Sequence, residues 1–280
     1  MHAPTVRPSP IAGSWYPGTG EALRAEVDRH LSAVPDRSLP GPLVALIAPH
    51  AGLRYSGPVA AHAYALVADR PAPTVVLVGP SHRMAFRGSA VFAAGAFDTP
   101  LGRATVDADL ADALIAADPA AVHAGARPHR DEHSLEMQLP FVQRLLPEAR
   151  IVPVLMGDQS RADVDALAAA LAHALAGTSA LLVASTDLSH YLPAPQANAA
   201  DAHVVGDVAD FAPDRLMTRL EHGSNVACGG GPMVAVMKAA AALGARAATV
   251  LRYADSGDAA DHDRSRVVGY LAAALCRAAP

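Results

Sequence analysis

Leu23, Val27 and Leu31 recur at every fourth position, the spacing of one helix face, and predict a helix over residues 21–33. Four short apolar runs follow a different rule. Residues 43–48, 74–78, 151–155 and 180–184 are too short for helices. They are rich in Val, Leu and Ile and are closed by Pro49, Gly79-Pro80, Gly157-Asp158 and Ser185-Thr186-Asp187, as buried strands are. Helical spacing returns at 58–68, 107–117, 134–146 and 162–176, the last stopped by Gly177. A further strand is expected at 90–94, helices at 196–209, 213–220 and 232–243, and late strands at 249–253 and 266–271. Strands that are apolar on both faces and alternate with helices predict an α/β fold. The expectation is a single domain over 1–280, with a central, mostly parallel sheet covered by helices on both faces and late strands on an antiparallel edge. Residues 1–20 read as an irregular, proline-rich lead, packed on the domain through the single tryptophan, Trp15.

Composition narrows the function classes. With 51% apolar residues the chain is well above the disordered range, yet none of its apolar runs reaches the roughly 18 residues that a membrane-spanning helix needs. The first ten residues hold three prolines and no apolar stretch, so no secretory signal is expected. Two cysteines, Cys228 and Cys276, do not make a disulfide framework, and a reduced, cytoplasmic setting is expected. The net charge is −5 without a basic stripe, which argues against a nucleic-acid partner. The unusual feature is thirteen histidines.

In open α/β sheets ligands bind beyond the carboxyl ends of the strands. Three histidines fall there: His50 after 43–48, His82 after 74–78, and His190 in the Ser185–Tyr191 loop after 180–184. Met156-Gly157-Asp158-Gln159 ends a fourth strand. Convergent imidazoles suit a metal site or an acid–base site. Cys228 precedes Gly229-Gly230-Gly231-Pro232 and a predicted helix; glycines permit close backbone approach to a ligand, and a helix N-terminus favours a thiolate. A thiolate there is a soft metal ligand or a nucleophile. The densest polar run is 129–140. On a helix beginning near Asp131, Glu132 and Glu136 share a face beside His133, and His129 and His133 have ligand spacing. Acids at a helix start also complement its dipole. His133 and Glu136 are expected to line the site, with Trp15 near its entrance. His2, His30, His62, His123, His173, His203, His222 and His262 lack such settings and are read as surface or helix-face residues.

Six motifs taken together carry a resemblance. They are Gly13-Ser14-Trp15-Tyr16-Pro17; Ala48-Pro49-His50-Ala51-Gly52 with Tyr55-Ser56-Gly57; Gly79-Pro80-Ser81-His82; Asp131–Phe141; Ser185–Tyr191; and Cys228-Gly229. In this order they resemble the Memo family, called in prokaryotes the AmmeMemoRadiSam system protein B, across nearly the whole chain. The resemblance implies a fold like that of class III extradiol non-haem iron dioxygenases. It implies a metal site on His50, His82 and Cys228, and an acid–base pair of His190 with Asp187. The dioxygenases use two histidines and a carboxylate, whereas two imidazoles and a thiolate suit iron, copper or zinc. The prokaryotic family name further implies a radical-SAM protein and an AMME-type protein as partners.

Three functions compete at this point. The first is a metal-dependent redox or oxygenase-type enzyme acting on a small molecule or peptide, with His190 as general acid–base. The second is a non-catalytic peptide- or protein-binding module that retains the pocket. The third is a metal-free hydrolase or transferase built from Cys228, His190 and Asp187.

Overall fold

A computed structural model describes residues 5–68, 73–259 and 263–278. His2 and His262 lie outside these residues. The strands are β1 (Val6–Arg7), β2 (Leu43–Ala48), β3 (Thr74–Pro80), β4 (Ser89–Val91), β5 (Ala96–Thr99), β6 (Gly102–Thr105), β7 (Val122–Ala124), β8 (Arg150–Met156), β9 (Leu181–Ser185), β10 (His190–Leu192), β11 (Ala245–Asp255) and β12 (Val267–Arg277). The helices are α1 (Gly20–Ser32), α2 (Leu53–Tyr64), α3 (Ala108–Ala117), α4 (Leu139–Leu145), α5 (Arg161–Leu175), α6 (Ala194–Ala209), α7 (Pro213–His222) and α8 (Gly230–Ala242).

Among the described residues nine strands form one mixed sheet in the order β10-β12-β2-β9-β3-β8-β4-β7, with β11 also paired to β12. The centre, β2-β9-β3-β8, is parallel, so its four carboxyl ends point the same way. Antiparallel pairs flank this centre on both sides, β12 against β2 and β4 against β8. Side-chain alternation explains why the central runs read as continuously apolar. Leu46, Val75, Leu77 and Val183 pack into the layer holding α1, α2 and α4. Their neighbours Ile47, Val76, Val78 and Leu182 pack into the layer holding α3, α5, α7 and α8. Both faces are therefore covered. Among the described residues no helix is long and apolar enough to cross a membrane.

Three elements depart from expectation, each for a local reason. Helix α2 begins at Leu53 rather than at Pro58, which lies inside it. Buried Leu53 and Ser56 extend the helix toward its start, and Gly57 leaves room for the ring of His30; a Cβ at Gly57 would stand 2.8 Å from it. The helix expected over 134–146 is a 3-10 turn at Glu136–Gln138 followed by α4, which carries Pro140 in its first turn where no backbone N–H is needed. Residues 131–135 are not helical; they form a loop in which the Glu132 carboxylate accepts the backbone N–H groups of His133 and Ser134. The alanine-rich C-terminal segment continues as an eleven-residue strand, β12, held on both sides by β2 and β11. Its small side chains lie flat beneath the helices, so sheet pairing overrides alanine's weak strand preference. The lead is partly ordered into β1, which pairs with β5.

Candidate metal centre

The loops after β2, β3 and β9 open into a cavity of about 1030 Å³ whose lining includes Trp15, His50, His82, His133, Asp187, His190 and Cys228. His50 and His82 stand edge to face with ring centroids 5.2 Å apart. One ligand-type atom from each of His50, His82 and Cys228 lies within 4.8 Å of the others, and Cys228 Sγ is 3.1 Å from His50 Nε2. The parallel strand ends deliver the two imidazoles. The sulfur arrives from the segment between α7 and α8.

Hydrogen bonds fix the tautomers of both rings. The Ser185 hydroxyl donates to Ser134 O at 2.7 Å and accepts from Gln138 Nε2 at 2.8 Å. Its only proton is thus spent, so at 2.9 Å it accepts from His50 Nδ1–H. The Gln138 amide is oriented in turn by Tyr64, whose hydroxyl donates to Oε1 at 2.9 Å, and by Pro49 O, which accepts from Nε2 at 3.0 Å. His82 Nδ1 lies 2.9 Å from Glu132 Oε1, which also accepts the His133 and Ser134 amides at 2.9 Å each. Burial would raise the Glu132 pKa, but His82, through its hydrogen bond and its proximity, and then the Ser134 amide hold the carboxyl well below the usual range. It is ionised, and His82 Nδ1 carries the proton. Both rings therefore turn Nε2, the nitrogen their rear partners do not hold, forward. A carboxylate or hydroxyl behind an imidazole in this way is the arrangement that orients metal-ligating histidines.

The remaining groups behave as neutral side chains in the protein alone. Burial pushes His50 down to about 3, with the neighbouring His82 adding to the shift. Burial and then Asp187 push the Cys228 thiol up. The position before α8 does not by itself produce a thiolate, and a cation among these donors would supply the positive charge that it lacks. Imidazole, imidazole and thiol form a donor set that fits a transition metal.

The glycines after Cys228 accommodate protein rather than a ligand. A Cβ at Gly229 would meet Ser185 O at 2.4 Å, and one at Gly231 would meet Gln159 Cβ at 2.8 Å. Gln159, at the end of β8, braces this segment by donating to Cys228 O at 2.8 Å and accepting from Gly231 N at 2.7 Å.

Asp187 lines the cavity together with His190, but the hydrogen bonds of the two side chains go to other partners. Its carboxylate accepts the His50 amide at 2.8 Å, and burial raises its pKa against that bond. His190 Nδ1 is instead held by Leu188 O at 2.8 Å, which leaves Nε2 as the ring nitrogen available to the cavity. Cys228 has His50 as its imidazole neighbour, so the structure does not assemble Cys228, His190 and Asp187 as a relay. His133 lines the cavity, its ring 4.5 Å from His82 and 4.2 Å from Trp15.

Glu136 does not line the cavity. It is fully buried and holds Arg7, Ser9 and Tyr16, which tie the lead to the domain. Glu132 is the glutamate behind the site. A helix over 131–146 would have placed both on one face, and the loop at 131–135 separates them. His129 is also apart from the site, buried with Nε2 donating to Ala90 O at 3.1 Å. Ser185, Gln138 and Tyr64 were not singled out in the sequence as site residues; Ser185 and Gln138 fall inside motifs quoted there, whereas nothing flagged Tyr64.

The family model described as Memo-like protein matches residues 7–274. A MEMO1 family protein of Methanothermobacter thermautotrophicus is 37% identical over 280 residues, spanning 95% of this chain and 98% of its own. One from Methanosarcina mazei is 35% identical over 270 residues, with the same coverage of 95% and 98%. The crystal structure of an uncharacterized protein from Escherichia coli K12 aligns with a TM-score of 0.55 at 18% identity, covering 84% of this chain and 99% of that one, a likeness of fold. With a family model matched from the lead to the last strand and relatives aligned over nearly their whole lengths, this chain belongs to the family of Memo-like proteins.

Proposed function

We propose that this Memo-like protein is a metal-dependent enzyme of the redox or oxygenase type, with His50, His82 and Cys228 as ligands and His190 as general acid–base. The observation that carries the reading is the pair of locked tautomers. Ser185 and Glu132 hold both Nδ1–H groups at the rear, which leaves Nε2 of each ring to the front, and one ligand atom from each of the three residues lies within 4.8 Å of the others. Such anchoring is what orients metal-ligating histidines, and here it turns the front nitrogens of both rings toward one sulfur.

Iron, copper or zinc held by these donors supplies Lewis acidity, and iron or copper also an electron couple. The protein's own groups do the rest. Glu132 makes His82 a stronger donor and fixes its plane. Asp187 pins the backbone of His50. Cys228 gives up its proton as it takes its place as a ligand. His190, with Nδ1 spent on Leu188 O, offers Nε2 to accept or return a proton at a molecule in the cavity. Trp15 and His133 pack together on one wall of the cavity.

The test is metal content of protein prepared without chelators or a metal-binding tag, followed by copper and zinc titration of Cys228→Ser and His190→Ala. Loss of a thiolate should weaken binding at least tenfold in Cys228→Ser, and His190→Ala should stay within about threefold of the parent, on the scale of 1.4 kcal/mol per decade. Unchanged affinity in Cys228→Ser defeats the assignment. Oxygen consumption by the loaded protein then tests the redox reading.

A further inference from the structure

Strand β10, which carries His190, lies at the end of the sheet and pairs with β12 through His190 and Val268. On its other side a side chain stands where a neighbouring strand would. The His190 N–H donates to Asn225 Oδ1 at 2.9 Å, and the His190 carbonyl accepts from Asn225 Nδ2 at 2.7 Å. The two bonds fix the amide's orientation, since a carbonyl oxygen can only accept. They also exploit an uncommon backbone: Asn225 has φ 59°, the left-handed region that asparagine tolerates better than most side-chain-bearing residues. With its main chain clamped, His190 turns Nδ1 onto Leu188 O at 2.8 Å.

Asn225 belongs to the segment between α7 and α8, three positions before Cys228. That segment is stitched to the loop after β9 a second time, where Cys228 N donates to Asp187 O at 3.2 Å. One stretch of chain thus delivers the sulfur and mounts the histidine. We propose that Asn225 is the positioning residue of His190, holding its ring as the Nδ1–H tautomer with Nε2 free toward the cavity. This rests on the reading of His190 as the acid–base of the site.

The experiment uses the full chain labelled with ¹⁵N-histidine and recorded at pH 8, with His190 assigned by the signal missing in His190→Ala. Asn225→Gly suits the left-handed backbone and removes both bonds. Ser224→Ala alters the same segment and leaves the amide in place. The parent and Ser224→Ala should show one Nδ1–H pattern for His190, and Asn225→Gly should lose it to a mixture of tautomers. An unchanged pattern in Asn225→Gly, or its loss in Ser224→Ala as well, overturns the proposal. Cobalt(II) titration separates this from the metal reading. No thiolate–cobalt absorption in the parent refutes the ligand set, while the tautomer still judges Asn225. A band that persists in Asn225→Gly as the tautomer pattern is lost supports action on the histidine and not on the sulfur. A band lost while the pattern stays overturns it.

Discussion

Replacing Glu132 by glutamine, beside the same change at Glu136, separates a residue that supports the metal ligands from one that only supports the fold. Both carboxylates are buried, at 2% and 0% exposure. Glu132 accepts His82 Nδ1–H and the amides of His82, His133 and Ser134. A glutamine keeps one oxygen for some of these and turns an NH₂ group toward the rest. At least one buried donor then loses its acceptor, and a charge-assisted bond becomes neutral. The two effects cost about 1–3 kcal/mol and about 1–2 kcal/mol, or roughly 3 kcal/mol of stability together. Metal affinity should fall by about 10–100-fold, because His82 loses both its orientation and part of its basicity. Glu136→Gln removes the partner of buried Arg7 and should cost about 3–5 kcal/mol, with metal affinity of the folded protein kept within about threefold. Urea unfolding without metal and zinc titration against a competing chelator measure the two quantities. Equal metal affinity in Glu132→Gln and the parent would refute the reasoning, as would a Glu136→Gln protein that folds normally but binds zinc as weakly as Glu132→Gln.

Three further outcomes follow from the same structure. Gly229→Ala should destabilise by about 1–3 kcal/mol and weaken thiolate ligation, since its Cβ would stand 2.4 Å from Ser185 O; unfolding and cobalt absorption together check this. Tyr64→Phe removes the donor to Gln138 Oε1 and should cost about 1 kcal/mol in urea unfolding, with a smaller loss of zinc affinity than Glu132→Gln. Burial lowers His129 from 6.5 to about 3, so within that window the unfolded chain holds a proton that the folded chain does not. Stability should therefore fall on acidification from pH 6.5 toward 3, and His129→Gln should flatten the slope by up to about 1.4 kcal/mol per pH unit.

Much of the frame was legible along the chain because it depends on local pattern. The runs at 43–48, 74–78, 151–155 and 180–184 read as strands from their length and their closing residues, and those closures placed His50, His82 and His190 at carboxyl ends. The β-α alternation implied a parallel centre, and with it convergence of those ends. Cys228 stood out through the glycines that follow it. Those glycines serve a different purpose from the one expected, because contacts with Ser185 O and Gln159 come from elements far apart in sequence.

What only the tertiary structure decided is which polar group faces which. Glu132 and Glu136 are the same residue type four positions apart, and periodicity could not choose between them. The choice depends on whether 131–135 is a helix or a loop folded around a carboxylate, and a histidine amide fifty residues earlier decides that. Asp187, three positions before His190, invited a hydrogen-bonded pairing, yet the His50 backbone takes the carboxylate and Leu188 O takes the ring. The tautomers of His50 and His82 are set by Ser185, Gln138, Tyr64 and Glu132 acting as one network. Hydrophobic pattern is a property of single segments and survives in the sequence. Hydrogen-bond direction is a property of pairs brought together by folding, and only the folded chain specifies it.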